Sequence, residues 1–205
     1  MTGKRDMQTM EQKALSRIYG KQRGWAFSRK DFVGLGSISS IDWAFHSLLK
    51  KEKIRRVMRG IYDYPKYGKK LGRQLSPDID QVAQALARKF GWRIQPSGPV
   101  SLNILGLSTQ VPGTYSYMSD GPNRKYTIGK TALVFRQVAL KEMGFKRYES
   151  AIIVQALKSL GKANVSEHVI LRIREWLDAR LYAQVLKDTK TVTGWVYEAI
   201  RRICS

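Results

Sequence analysis

The chain has 205 residues, 43% apolar and 26% charged, which suits one large globular domain or two modest ones and excludes disorder as the default. Its 37 Lys+Arg against 16 Asp+Glu leave a net charge of +21, far beyond what solubility asks for, and nucleic acid is the commonest partner for such an excess. The lone Cys204 excludes an internal disulfide framework, and neither a signal-type apolar start nor a run of the ~20 apolar residues of a membrane span occurs; a cytoplasmic protein without membrane contact is the expectation.

In chain order, the first predicted element is a helix over residues 7–19 that turns Met10, Ala14, Leu15 and Ile18 to one side, with Gly20 and Gly24 flanking its end. Ser28 is a candidate N-cap for a short helix through Val33, and Gly34 and Gly36 allow a turn into the next helix. That helix carries Ile41, Phe45, Leu48 and Leu49 at i, i+4, i+7 and i+8, a stripe that faces a core. At about 100° per residue, Ser39, Trp43, His46 and Lys50 gather on the opposite face. A tryptophan is seldom left on a wet face unless something covers it. Either this face enters a DNA groove, with Ser39 and Ser40 reaching base edges near the helix start, or Trp43 packs under the hairpin that follows or under a second domain.

The hairpin is KIRRVMRGIYDYP, with Arg59-Gly60 as a two-residue turn. That register sets Val57 opposite Tyr62 and Arg56 opposite Asp63. Arg55 and Arg59 are then left without an acidic neighbour and are the better candidates for phosphate or minor-groove contact, unless the charge only protects a strand edge. PKYGKKLGRQLSP, residues 65–77, reads as a linker whose Lys66, Lys69 and Lys70 can lie along a phosphate backbone. Residues 1–76 hold 18 Lys+Arg against 6 Asp+Glu, net +12, so more than half of the excess accompanies this helix and hairpin.

The second part opens with DIDQVAQALARKFGW, where Ile79, Val82, Ala83, Leu86, Ala87 and Phe90 repeat at helical spacing. PVSLNILGL follows as a short helix or turn, then the strand-like TYSYM, KYTIG and TALVFRQV, the first two joined by the turn-rich SDGPNR. The last sixty residues are helical in pattern: YESAIIVQALKSLG, VSEHVILRIREWLDARLYAQVLKD and VTGWVYEAIRRI, with Gly161, Asn164 and Thr191 near the boundaries. The expected architecture is α+β: an N-terminal winged helix-turn-helix over residues 1–70, then a mixed α/β domain with a helical C-terminal part over residues 77–205.

A search for chemistry returns little. His46 and His168 have no Cys pair or carboxylate at ligand spacing, so no zinc site, other metal or cofactor is expected. Gly129-Lys130-Thr131 is similar to the end of a phosphate-binding loop, but Arg124 stands where the first glycine is required and a strand-like run follows, so these residues read as a turn. A metal-dependent nuclease needs converging carboxylates. Asp120 lies in a glycine-proline turn, where it can cap backbone, and Asp188 ends a helix, so no catalytic residue is expected. The alternatives that remain are a nuclease or its DNA-targeting subunit, and an RNA-binding adaptor that prefers single strands.

The helix from Ser39, the hairpin RRVMRGIYDYP, the run NILGLSTQVPG and SDGPNRKYTIG followed by a strand, in that order, resemble AbiEi-type antitoxins of bacterial and mobile-element toxin-antitoxin systems. The likeness covers most of residues 28–138; the helical tail from Lys146 onward has no motif-level match. It implies a winged helix-turn-helix that represses its own promoter at inverted repeats in double-stranded DNA. It also implies a C-terminal antitoxin region that counteracts a nucleotidyltransferase-like toxin without requiring a stable complex with it. Position by position, the resemblance implies DNA reading by Ser39, Ser40 and Trp43 and a wing role for Arg55, Arg56 and Arg59, and it supplies no catalytic residue.

Overall fold

The structure, a computed structural model, describes residues 9–110, 112–139 and 143–205. It is a mixed α+β protein whose chain divides into two compact units, Met1–Trp92 and Arg93–Ser205. None of the described helices is long and apolar enough to cross a membrane.

The first unit begins with α1 (Met10–Gly20); the predicted start at Met7 lies outside the described residues. Thr9 and Gln12 cap it reciprocally: the Gln12 amide donates to Thr9 Oγ1 at 3.2 Å and the Thr9 amide donates to Gln12 Oε1 at 2.7 Å. Strand β1 (Ala26–Phe27) leads into a 3₁₀ helix (Arg29–Phe32), at whose start the Ser28 amide and hydroxyl donate to Asp31 Oδ2 at 2.8 and 3.2 Å. Helix α2 (Ile38–Lys50) is capped by Ser37, whose Oγ accepts from the Ser40 amide at 3.2 Å. Strands β2 (Arg55–Met58) and β3 (Ile61–Asp63) form the predicted hairpin, and β1 joins it to make an antiparallel sheet of order β1-β3-β2.

The core of this unit sits between α1, α2 and the sheet. Ala14 and Ile18 of α1 meet Ile41, Ala44, Phe45 and Leu48 of α2 there, with Met10, Leu15 and Leu49 packed at the edge. Phe45 packs edge against face on Phe27 and Phe32, which are tilted on each other, with centroids 5.0 to 5.5 Å apart. All three are buried, and each contributes about 2 to 3 kcal/mol through removal of its ring from water.

Two expectations need correction. The turn is Arg59-Gly60, with Gly60 at φ +74° and Met58 paired to Ile61, but an irregularity between Arg56 and Met58 shifts the rest of the register. Arg56 therefore pairs with Tyr62, and Arg55 with Asp63. Residues 65–77 are also an ordered hairpin rather than a linker, made by β4 (Tyr67–Gly68) and β5 (Arg73–Gln74). The Leu75 amide donates to the Lys66 carbonyl at 2.8 Å, and Arg55 Nη1 donates to the Leu75 carbonyl at 2.9 Å, which fixes the segment to the first sheet.

Helix α3 (Ile79–Phe90), capped by Asp78 and ended by Gly91 at φ +77°, belongs to this first unit. It packs on β1, β3 and the 3₁₀ helix, and its Arg88 reaches Asp31 Oδ1 at 2.5 Å and the Ala26 carbonyl at 2.7 Å. The boundary thus falls after Trp92 instead of between residues 70 and 77, because the apolar stripe of α3, with Val82, Ala83 and Leu86 buried, covers the N-terminal sheet.

The second unit holds β6 (Ile94–Pro96), α4 (Gly98–Ile104), β7 (Thr114–Ser119), β8 (Arg124–Ile128) and β9 (Thr131–Gln137). The last three are the predicted strands; β6 is an addition at the edge of a sheet of order β6-β7-β9-β8, in which β7 and β9 run parallel. Ile128 pairs with Thr131, so Gly129-Lys130 is the tight turn between β8 and β9. Helix α5 (Tyr148–Leu160) packs on α4 and β6, and with α6 (Glu167–Trp176), α7 (Tyr182–Asp188) and α8 (Gly194–Ile203) it encloses a core of Ile152, Leu157, Ile170, Ile173, Val185 and Ile200. The predicted helix across residues 165–188 is broken: Leu177 leaves helical geometry at ψ 124°, and Asp178 accepts from the Arg180 amide at 3.0 Å to start a 3₁₀ turn before α7.

Candidate nucleic-acid interface

Helix α2 separates its faces as its 3.6-residue period requires. Ile41, Ala44, Phe45 and Leu48 are buried, whereas Ser39, Trp43, His46 and Lys50 are exposed together on the other side. Trp43 is 63% exposed and does not pack under the hairpin. A large aromatic surface is thereby held on a helix whose opposite face is anchored in an aromatic core.

Ser40 differs from its predicted role. It is half-buried, and its hydroxyl donates to the Ser37 carbonyl at 2.8 Å, so it closes the helix N-terminus, while Ser39 lies on the exposed face. Asp42 also lies on the exposed side of α2, where Arg29 reaches it at 2.7 Å. Both partners are half-exposed, so the pair adds little stability, though Arg29 partly offsets the Asp42 charge on this face.

Arg55 is not a free cation. Its Nη2 lies 2.6 Å from Asp63 Oδ2 and its Nε donates to Oδ1 at 3.0 Å, a two-pronged pair created by the shifted register. Burial pushes the Asp63 carboxyl above its ordinary range, opposed by the hydrogen bonds and charge of Arg55. Arg56 and Arg59 are exposed and have no carboxylate partner among the described residues. Lys66 is drawn to Asp78 at 3.4 Å, whereas Lys69 and Lys70 are exposed beside Leu71 at the tip of the β4–β5 hairpin.

The hairpin turn has a cationic neighbour that the sequence did not reveal. Lys89, near the end of α3, donates from Nζ to the Arg59 carbonyl at 3.5 Å. Its pKa is held below the ordinary lysine value by burial first, and then by the positive charges of Arg29 and Arg59. Arg88 and Lys89 stand in the last turn of a helix whose period is plain in the sequence, but the surface that helix covers, and so the residues they join, is not written there.

Asp188 and Asp120, the two carboxylates weighed above for a nuclease, each accept hydrogen bonds from backbone amides. Asp188 accepts from the Lys146 and Arg147 amides at 3.1 and 3.0 Å, just ahead of α5, and Asp120 accepts from the Arg93 amide at 2.8 Å. Burial raises the Cys204 thiol to about 11, so it is protonated at neutral pH. Among the described residues no group of three or more His, Cys, Asp or Glu is placed to hold a metal ion.

No curated protein matches the chain. Among solved structures it is similar to the crystal structure of RV2827C protein from Mycobacterium tuberculosis, at 13% identity and a TM-score of 0.36, over 93% of this chain and 75% of that one. A family model described as a family of unknown function matches residues 13–184, most of the chain and nearly all of the elements above, and the protein therefore belongs to the family DUF6088.

Proposed function

We propose that this protein is a sequence-specific DNA-binding repressor whose first unit acts as a winged helix-turn-helix. In this reading α2 enters the major groove and the β2–β3 turn serves as the wing. The carrying observation is the exposed face of α2, where a 63% exposed Trp43 stands with Ser39, His46 and Lys50 over a buried aromatic core. Support comes from the order of elements, from Arg56 and Arg59, which have no carboxylate partner among the described residues, and from 20 Lys+Arg against 8 Asp+Glu in residues 1–92. Lys69 and Lys70 are assigned to phosphate contact, and Arg55 is withdrawn from it.

Following the resemblance to AbiEi-type antitoxins, we infer that the operator is an inverted repeat before the protein's own gene. The second unit then opposes a nucleotidyltransferase-like toxin without a lasting complex. The test is footprinting of the full chain on its upstream DNA, with Trp43→Ala as the control variant, beside co-expression with the neighbouring gene. Protection of an inverted repeat that Trp43→Ala abolishes, together with rescue of growth, is the expected result. Equal affinity for upstream and random DNA would overturn the repressor reading, and growth arrest without rescue would overturn the antitoxin reading.

A further inference from the structure

A groove of about 440 Å³ opens on the first unit between the 3₁₀ helix, the start of α2, the β2–β3 turn and the end of α3. Its apolar wall is Val33, Ile38 and Ile41. Val33 and Ile38 are 73% and 70% exposed, so two branched apolar side chains stand in water beside a concave space. Gly60 lines one side, and its missing Cβ leaves room for Lys89 Nζ, 2.8 Å from where that Cβ would stand.

The lining also holds three cations, Arg29, Lys30 and Lys89, together with Ser28, Gly36 and Gly60. Asp42 answers only Arg29, and among the described residues neither Lys30 nor Lys89 has a carboxylate partner. Lys89 feels the repulsion of Arg29 and Arg59, which a bound anion would relieve. Apolar wall and cationic rim together ask for a ligand with both characters, and the volume lies in the range of small-molecule sites. A DNA phosphodiester would satisfy the rim but leave Val33 and Ile38 wet.

We propose that this groove binds a small amphiphilic anion, one carboxylate or phosphate monoester on an apolar body, of roughly ten to fifteen non-hydrogen atoms in all. The acid group sits at Lys89 on the cationic side, and the apolar body lies against Val33, Ile38 and Ile41. Because the same groove touches the first turn of α2 and the hairpin turn, an occupant contacts both parts of the proposed DNA-binding surface.

Isothermal titration and amide NMR of the full chain with octanoate, 1-octanol and inorganic phosphate test this in the absence of DNA, so the outcome is independent of the repressor reading. Octanoate is expected to bind with one-to-one stoichiometry and to shift amides around Val33, Ile38 and Lys89. The alcohol and inorganic phosphate are expected to bind about tenfold or more weakly. Lys89→Gln and Ile38→Ser, both checked for an unchanged fold by circular dichroism, should each weaken octanoate by about fivefold or more. Phosphate binding as tightly as octanoate would reduce the site to a bare anion contact, octanol doing so would reduce it to an apolar one, and octanoate affinity unchanged in both variants would place binding elsewhere. Each of these three results overturns the proposal.

Discussion

Arg55 and Asp63 face each other across β2 and β3 in a two-pronged ion pair whose carboxylate is only 2% exposed. Arg55 also donates to the Leu75 carbonyl at 2.9 Å, so one guanidinium ties the first hairpin to the segment leading into α3. Arg55→Ala leaves a buried carboxylate without its counter-ion, which should cost about 3 kcal/mol at neutral pH. With only burial acting, the folded-state pKa of Asp63 lies above its unfolded value. Its favourable contribution is then complete below the unfolded value of about 3.9 and is lost as pH rises through the folded one. Urea denaturation should therefore show the deficit of Arg55→Ala shrinking from pH 7 to pH 4, whereas a deficit that grows on acidification would contradict this role.

Two aromatic residues on α2 separate reading from folding. Phe45 is 2% exposed and packs against Phe27 and Phe32, so Phe45→Ala should cost about 3 to 5 kcal/mol. Trp43 is 63% exposed, so Trp43→Ala should change stability by no more than about 0.5 kcal/mol while abolishing discrimination between operator and random DNA. Paired denaturation and binding measurements check both, and a large loss of stability in Trp43→Ala would assign that side chain to packing.

Salt dependence distinguishes the arginines. If about six phosphates are contacted, affinity of the full chain for duplex DNA should fall about a thousandfold between 50 and 200 mM salt. Arg56→Ala and Arg59→Ala should each lower the slope of log affinity against log salt by about one unit. Arg55, held by Asp63 and Leu75, should leave the slope unchanged when replaced, provided binding is measured where the variant is folded.

Truncation tests the boundary. A fragment of residues 1–92 retains α3 and its Arg88 contacts to Asp31 and the Ala26 carbonyl, and should unfold cooperatively. A fragment of residues 1–76 exposes the surface that Val82, Ala83 and Leu86 cover and should lose dispersed amide resonances. Equal cooperativity in the two would show that α3 is dispensable to this unit.

The local features are legible in the sequence. Residues a few positions apart settle the two faces of α2, the N-cap position of Ser28, the Arg59-Gly60 turn, and strands over TYSYM, KYTIG and TALVFRQV, since period and capping act within a turn or a short strand. Features that depend on distant neighbours are not. The irregularity after Arg56 slid Arg55 onto Asp63, a shift of one residue that converts a proposed phosphate contact into a buried ion pair. The apolar stripe of α3 was plain in the sequence, but a stripe carries no label for the surface it will cover, so its place on the N-terminal sheet, and with it the company of Lys89, Arg29 and Arg59, followed only from packing. Periodicity is written along the chain, whereas the partner of a charge or of an apolar face is selected by chain segments that meet only on folding.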